Sequence, residues 1–237
     1  MKPDRIAELL EPFLASSTLS SETCHSEARS AGESAVLTTT QLQNISTYID
    51  MLQRWNARIN LTGIRDEEQI VTRHFGESLF AARHLFPACF SVPSVVRGFE
   101  VADVGSGAGF PGMPIKLWAP EISLTLIESN QKKATFLKEV ARALTLTNVN
   151  IQTSRAESLA GLSFAVVTLR AVERFESILQ VAAELVAPGG RLAILIGQTQ
   201  IQQAQSTLPT LDWSDSVAVP ASQSRVLAIA KQTLRRI

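Results

Sequence analysis

Four glycines and one acid crowd into Val101-Ala102-Asp103-Val104-Gly105-Ser106-Gly107-Ala108-Gly109-Phe110-Pro111-Gly112, directly after a short apolar run. Glycine tolerates positive φ and puts no Cβ between backbone and ligand, and a helix that follows at once points free N–H groups at whatever sits there. Such a turn suits a nucleotide-like molecule. Asp103 separates two chemistries, because a pyrophosphate repels a carboxylate whereas the ammonium and ribose of S-adenosylmethionine accept one. It favours S-adenosylmethionine as the cofactor, with Gly105, Gly107 and Gly109 beneath it. Residues 107 to 112 also satisfy the dinucleotide pattern G-x-G-x-x-G, so an NAD(P)-dependent oxidoreductase stands as the alternative. A P-loop is excluded, since Met113-Pro114 occupies the place where Lys and Ser or Thr would handle phosphate and Mg²⁺.

Further along, Glu128 closes the run Ile122–Ile127, where a carboxylate can accept the ribose hydroxyls under either cofactor reading. Glu157 follows another strand end and can accept an adenine amino group, with the Ala156 amide facing a ring nitrogen. Arg170, past a fourth apolar run, is the candidate active-site cation. A cation beside a sulfonium is repulsive, so it is better suited to the methionine carboxylate or an RNA phosphate. His74, with Glu77 and Ser78 close in sequence, forms a second polar cluster and a candidate catalytic group. Lys132, Lys133, Lys138 and Arg142 put a basic face on the helix after Glu128, and Arg225, Lys231, Arg235 and Arg236 leave the C-terminal segment positive. Of these, Lys132, Lys133 and Arg225 are the RNA-contact candidates. No G-x-S-x-G occurs, which sets aside a nucleophile-elbow hydrolase.

The elements that must hold these groups fall into two textures. Residues 1 to 98 read as mainly helical: Arg5 to Leu14 is one amphipathic helix, and a second from Gln41 spaces Leu42, Ile45, Tyr48, Ile49, Leu52, Trp55 and Ile59 along one face, capped by Thr39 or Thr40. A third helix runs from Asp66 towards Leu85 and carries His74. Between the first two lies Ser16 to Ser34, where seven serines and two threonines in nineteen positions describe a flexible insertion. After Pro93, strands at 99–103, 124–128, 149–152, 164–168 and 192–196 alternate with helical stretches. That is a parallel sheet covered on both faces, with ligands at the strands' carboxyl ends. Ser216 to Val219 and Arg225 to Ala230 are too close for a crossover and form an antiparallel pair. The fold expected is α/β, a Rossmann-like S-adenosylmethionine-dependent methyltransferase sheet, mostly parallel with an antiparallel C-terminal strand, plus an N-terminal helical cap. The domains are 1–98 and 99–237.

Composition sets the remaining bounds. At 237 residues and 45% hydrophobic the chain buries a full core, and 22 Lys+Arg balance 22 Asp+Glu, so an RNA partner must be held by local patches. Cys24 and Cys89 sit in no paired motif, which fits a reducing cytoplasm and argues against a cysteine zinc site; no metal is expected. The start Met1-Lys2-Pro3-Asp4-Arg5 lacks the build of a signal peptide, and no apolar stretch reaches membrane-spanning length. A cytoplasmic monomer without membrane contact is expected.

Taken in order and spacing, Leu61-Thr62-Gly63-Ile64-Arg65-Asp66, Arg73-His74, the stretch Asp103 to Pro114, Lys132-Lys133, Arg155-Ala156-Glu157 and Arg170-Ala171 resemble the bacterial 16S ribosomal RNA guanine-N7 methyltransferases (the GidB or RsmG family) over roughly residues 41 to 197. The resemblance implies methyl transfer from S-adenosylmethionine to a guanine of 16S ribosomal RNA or the small ribosomal subunit. It implies that Gly105, Phe110, Ala156, Glu157 and Arg170 line the cofactor site, with Glu128 near the ribose. Two positions depart from the family's pattern: Glu77 stands where Asp is usual, and Ile196 stands before Gly197 where Lys is usual. The second removes a charge, which keeps an idle RNA binder with a retained cofactor pocket as a further alternative.

Overall fold

The computed structural model describes residues 1–15, 36–87, 99–170 and 175–233. The serine-rich segment, Cys24, Cys89, Pro93, Ala171, Arg235 and Arg236 lie outside the described residues.

Helix α1 (Pro3–Leu14) buries Ile6, Leu10, Phe13 and Leu14, one stripe at helical spacing. Helix α2 (Thr39–Asn56) buries Ile45, Tyr48, Ile49 and Leu52. Its N-cap is Thr38, just before the expected Thr39 or Thr40: the Thr38 hydroxyl accepts from the Gln41 amide while the Gln41 side chain accepts from the Thr38 amide. Thr38 has Gln41 three residues on to close that reciprocal pair, whereas Thr39 has Leu42 there and Thr40, though followed by Gln43, already lies inside the helix. The expected third helix starts at the Asp66 cap and has three parts: α3 (Glu67–Gln69), a π-helical stretch (Ile70–Gly76) and α4 (Glu77–Leu85).

The strands are β1 (Glu100–Val104), β2 (Ser123–Ile127), β3 (Val149–Gln152), β4 (Phe164–Arg170), β5 (Val186–Gly197), β6 (Asp212–Trp213), β7 (Val217–Ala218) and β8 (Arg225–Lys231). They join one sheet in the order β3-β2-β1-β4-β5-β8-β6, with β7 also on β8. Pairs among β1 to β5 are parallel; β8 runs antiparallel to β5, β6 and β7. Strand β5 begins at Val186, six residues before the expected start, because Gly189 and Gly190 exchange backbone hydrogen bonds with Gln232 and carry the ladder through Pro188-Gly189-Gly190. Strand β4 likewise continues past Thr168, so Arg170 is its last residue.

Helices α5 (Gly112–Trp118) and α6 (Gln131–Ala143) join α1, α2 and α4 in a core that packs on one sheet face. Helices α7 (Phe175–Glu184) and α8 (Ile201–Thr207) contribute to the core on the other. The strand order reverses between β1 and β4, and in such sheets ligands bind at the crevice this leaves beyond the carboxyl ends.

Candidate functional site

Asp103 and Thr168 face each other in the β1–β4 register, and the Thr168 hydroxyl donates to Asp103 Oδ1 at 2.9 Å. The Gly112 amide donates to Oδ2 at 3.2 Å. Asp103 is therefore buried with both oxygens engaged by protein, a brace between β4, the glycine loop and the start of α5. Burial pushes its carboxyl up to about 6 against the lowering effect of the Thr168 and Gly112 hydrogen bonds. Asp103, expected from the sequence at the cofactor site, thus also has a bracing role within the protein.

The loop glycines divide into two kinds. Gly107 has φ +56 and open space where a Cβ would stand, apart from the Gly105 carbonyl oxygen at 3.8 Å. Gly109, at φ +89, faces inward, where a Cβ would strike the Tyr48 hydroxyl and lie 3.0 Å from Leu137 and Met113. Core packing therefore constrains this position to glycine. Glu128, just past β2, clasps the loop: Oε2 accepts from the Gly107 amide at 2.8 Å and Oε1 from the Asn130 amide at 2.7 Å. Ala156 is buried and Glu157 exposed on the short 3-10 turn after β3.

Phe110 is buried in a stack, with its ring 4.7 Å from His74 on one side and 5.5 Å from Tyr48 on the other, both nearly parallel. The Tyr48 hydroxyl donates to the Ala108 carbonyl at 2.6 Å, fixing α2 to the loop. The ring of His74 pairs with Thr62 and Arg170, not with Glu77 and Ser78; Ser78 donates instead to the His74 carbonyl. Arginine is a donor only, so Nδ1 accepts from Arg170 Nη2 at 3.1 Å and Nε2 carries the proton given to Thr62 Oγ1 at 2.8 Å. Desolvation, with Arg170, Arg73 and Arg225 adding to it, lowers His74 to about 3, so it is neutral across the ordinary range and is no acid or base there.

Glu77, 1% exposed, gathers three cations from three elements: Arg73 Nε at 3.1 Å, Arg170 Nη2 at 3.2 Å and Arg225 Nε at 3.2 Å. Arg170 Nη2 also donates to the Arg73 carbonyl at 2.6 Å. Burial lowers Arg170 to about 10, still charged at neutral pH. Its Nε and Nη1 are buried without a partner. Unpaired buried donors on a cation, in a cluster of three arginines around one glutamate, suit an anionic acceptor.

The fold thus brings together Asp103, Gly105, Gly107, Phe110, Glu128, His74 and Arg170. It places Arg225 inside the Glu77 cluster, whereas Lys132 is exposed and Lys133 half-buried on the first turn of α6. Ile196 is buried in β5, opposite Val226. Sequence reasoning missed Thr62, Tyr48, Arg73 and Thr168 as members of the site. Thr62 and Arg73 stand in the motifs of the resemblance, which was the signal available for them.

A family model described as rRNA small subunit methyltransferase G matches residues 41–223. The chain belongs to this GidB family. A protein named ribosomal RNA small subunit methyltransferase G from Halorhodospira halophila is 39% identical over 194 residues, 80% of this chain and 87% of that one. A relative of the same name from Desulfitobacterium hafniense is 35% identical, covering 72% of this chain and 70% of its own. Among solved structures, a ribosomal protein L11 methylase from Lactobacillus delbrueckii superposes with a TM-score of 0.53 at 16% identity, over 66% of this chain and 79% of that one. TYW2 from P. horikoshii, solved with MeSAdo, gives 0.53 at 12% identity, over 67% and 62%. At those identities the likeness is one of fold. GidB membership makes the chain an rRNA methyltransferase, and the oxidoreductase alternative finds no support.

Proposed function

We propose that the chain transfers a methyl group from S-adenosylmethionine to N7 of a guanine in 16S ribosomal RNA of the small ribosomal subunit, in the cytoplasm. The observation that carries the cofactor assignment is Arg170, whose buried, unpartnered Nε and Nη1 suit the carboxylate of an amino-acid moiety. The open side of Gly107 and the Glu128 carboxylate beside it suit a ribose, and Ala156 with Glu157 an adenine edge. When bound, S-adenosylmethionine supplies an electrophilic methyl on a sulfonium.

Guanine N7 keeps its lone pair free near neutral pH, so the chain has no proton to remove. Its residues must align two reactants and exclude water, and alignment of this kind supplies roughly 7–11 kcal/mol in favourable cases. His74 positions: neutral and held by Thr62, it fixes the Arg170 fork while stacking on Phe110. Glu77 holds Arg73, Arg170 and Arg225 in one place. Asp103 holds the loop, and no residue forms a covalent intermediate.

The test is transfer of labelled methyl from S-adenosylmethionine to small ribosomal subunits from cells lacking the equivalent enzyme, with the modified base mapped. Label in a guanine N7 of 16S ribosomal RNA is expected, despite Ile196. Cofactor binding without transfer would point to the idle binder, and absence of cofactor binding would sink the assignment.

A further inference from the structure

The last two turns of α2 carry a surface that the reaction centre does not use. Met51, Arg54, Trp55 and Arg58 stand at i, i+3, i+4 and i+7, three on one stripe of the helix and Arg58 just past its end, and with Glu139 of α6 they line a recess of about 260 Å³. Trp55 forms part of its lining and lies 5.7 Å from the Phe136 ring, which is also 6.1 Å from Tyr48. The recess therefore adjoins the helix that pins the glycine loop. On α6, Lys132 is two turns before Glu139 and Arg142 one turn after it, along the same side.

Arg54 donates its Nε to the Asp50 carbonyl at 3.1 Å, and both Arg54 and Arg58 are exposed beside Glu139. Two outward-facing arginines flanking an indole match the chemistry of an unpaired nucleic-acid strand: phosphates on the guanidinia and a base over the ring. Resting on the rRNA methyltransferase reading, we infer that Arg54, Trp55 and Arg58 form a docking groove for an unpaired segment of the substrate RNA. Charge complementarity selects RNA as the occupant. In a chain of zero net charge, attraction to phosphate must come from such local clusters, and Arg54 and Arg58 add to Lys132 and Arg142 around one opening. Glu139 is the acid that opposes them.

The experiment measures binding of the full chain to a protein-free 16S ribosomal RNA transcript at several salt concentrations. R54A/R58A is expected to weaken binding about tenfold near 0.1 M salt and to reduce the slope of log affinity against log salt by about 1.4, with S-adenosylmethionine affinity unchanged. E139Q is expected to tighten RNA binding, a gain that no folding defect can imitate. Tryptophan fluorescence should be quenched by the transcript, and W55F should abolish that quenching. Wild-type affinity and slope in R54A/R58A, or unchanged affinity in E139Q, overturns the groove. Binding to intact subunits but not to the transcript also overturns it and assigns the surface to a ribosomal protein. Methyl transfer is scored separately: wild-type protein that binds the transcript through this groove yet methylates no ribosomal RNA would refute the functional reading and leave the groove standing.

Discussion

Glu77 is where a single side chain decides most. Its Oε1 takes Arg73 and its Oε2 sits between Arg170 and Arg225, so one buried carboxylate neutralises part of a three-cation cluster. Removing a buried partner leaves its counter-ions uncompensated, which costs far more than the pair's net worth. Arg73 is 46% exposed and water screens it, but Arg170 is only 8% exposed. Glu77→Gln is therefore expected to lower stability by about 3 kcal/mol in urea unfolding. Glu77→Asp keeps the charge and withdraws it by one methylene, so the loss should stay below about 1.5 kcal/mol. Equal losses in both variants would refute a role for the charge. The sequence made the glycine loop, Glu128 and Arg170 legible because their chemistry is local to strand ends. The convergence on Glu77 was not legible, because Arg170 and Arg225 come from β4 and β8, and spacing along a chain carries no information about such pairs.

At the scale of elements, the helix carrying Arg73, His74 and Glu77 is set against α1 by a close approach. A Cβ on Gly76 would stand 2.6 to 2.8 Å from the Phe13 ring, and Phe13 is itself buried beneath α4, where Arg83 donates to its carbonyl. Gly76→Ala must push that ring or the π-helical segment aside. Overpacking of this kind costs about 1–3 kcal/mol, which outweighs the few tenths to one gained by replacing a helical glycine. A net loss of about 1–2 kcal/mol is expected in thermal or urea unfolding, and Phe13→Leu should restore part of it; a stabilised Gly76→Ala would refute the close packing. Periodicity gave α1, α2 and the helix from Asp66 with boundaries near their true ends, since each buries one stripe. It missed the π-helical winding and the early start of β5. The latter depends on Gln232 reaching back to Gly189 and Gly190, and no hydrophobic period marks the former.

For the whole molecule, His74 and Asp103, two buried groups shifted to values between 3 and 6.5, pull stability in opposite directions with pH. His74 falls from 6.5 to about 3, so between those values the unfolded chain binds a proton that the folded chain refuses, and stability rises with pH through that window. Asp103 rises from 3.8 to about 6, so the folded chain holds a proton that the unfolded chain releases, and stability falls with pH across it. The histidine shift is the larger, hence the net expectation between pH 4 and 6 is a gentle increase in stability. At one unit per 1.36 kcal/mol, the Asp103 shift alone is worth about 3 kcal/mol as an upper bound. His74→Asn keeps an oxygen that accepts from Arg170 but cannot titrate, and should reverse the slope to a decline through pH 6. Asp103→Asn keeps an acceptor for Gly112 or Thr168 and should steepen the increase. Urea unfolding of the three proteins at half-unit pH steps checks both signs. A His74→Asn profile parallel to wild type would mean that His74 takes up its proton in the folded state, and the neutral tautomer bridging Thr62 and Arg170 would then be wrong.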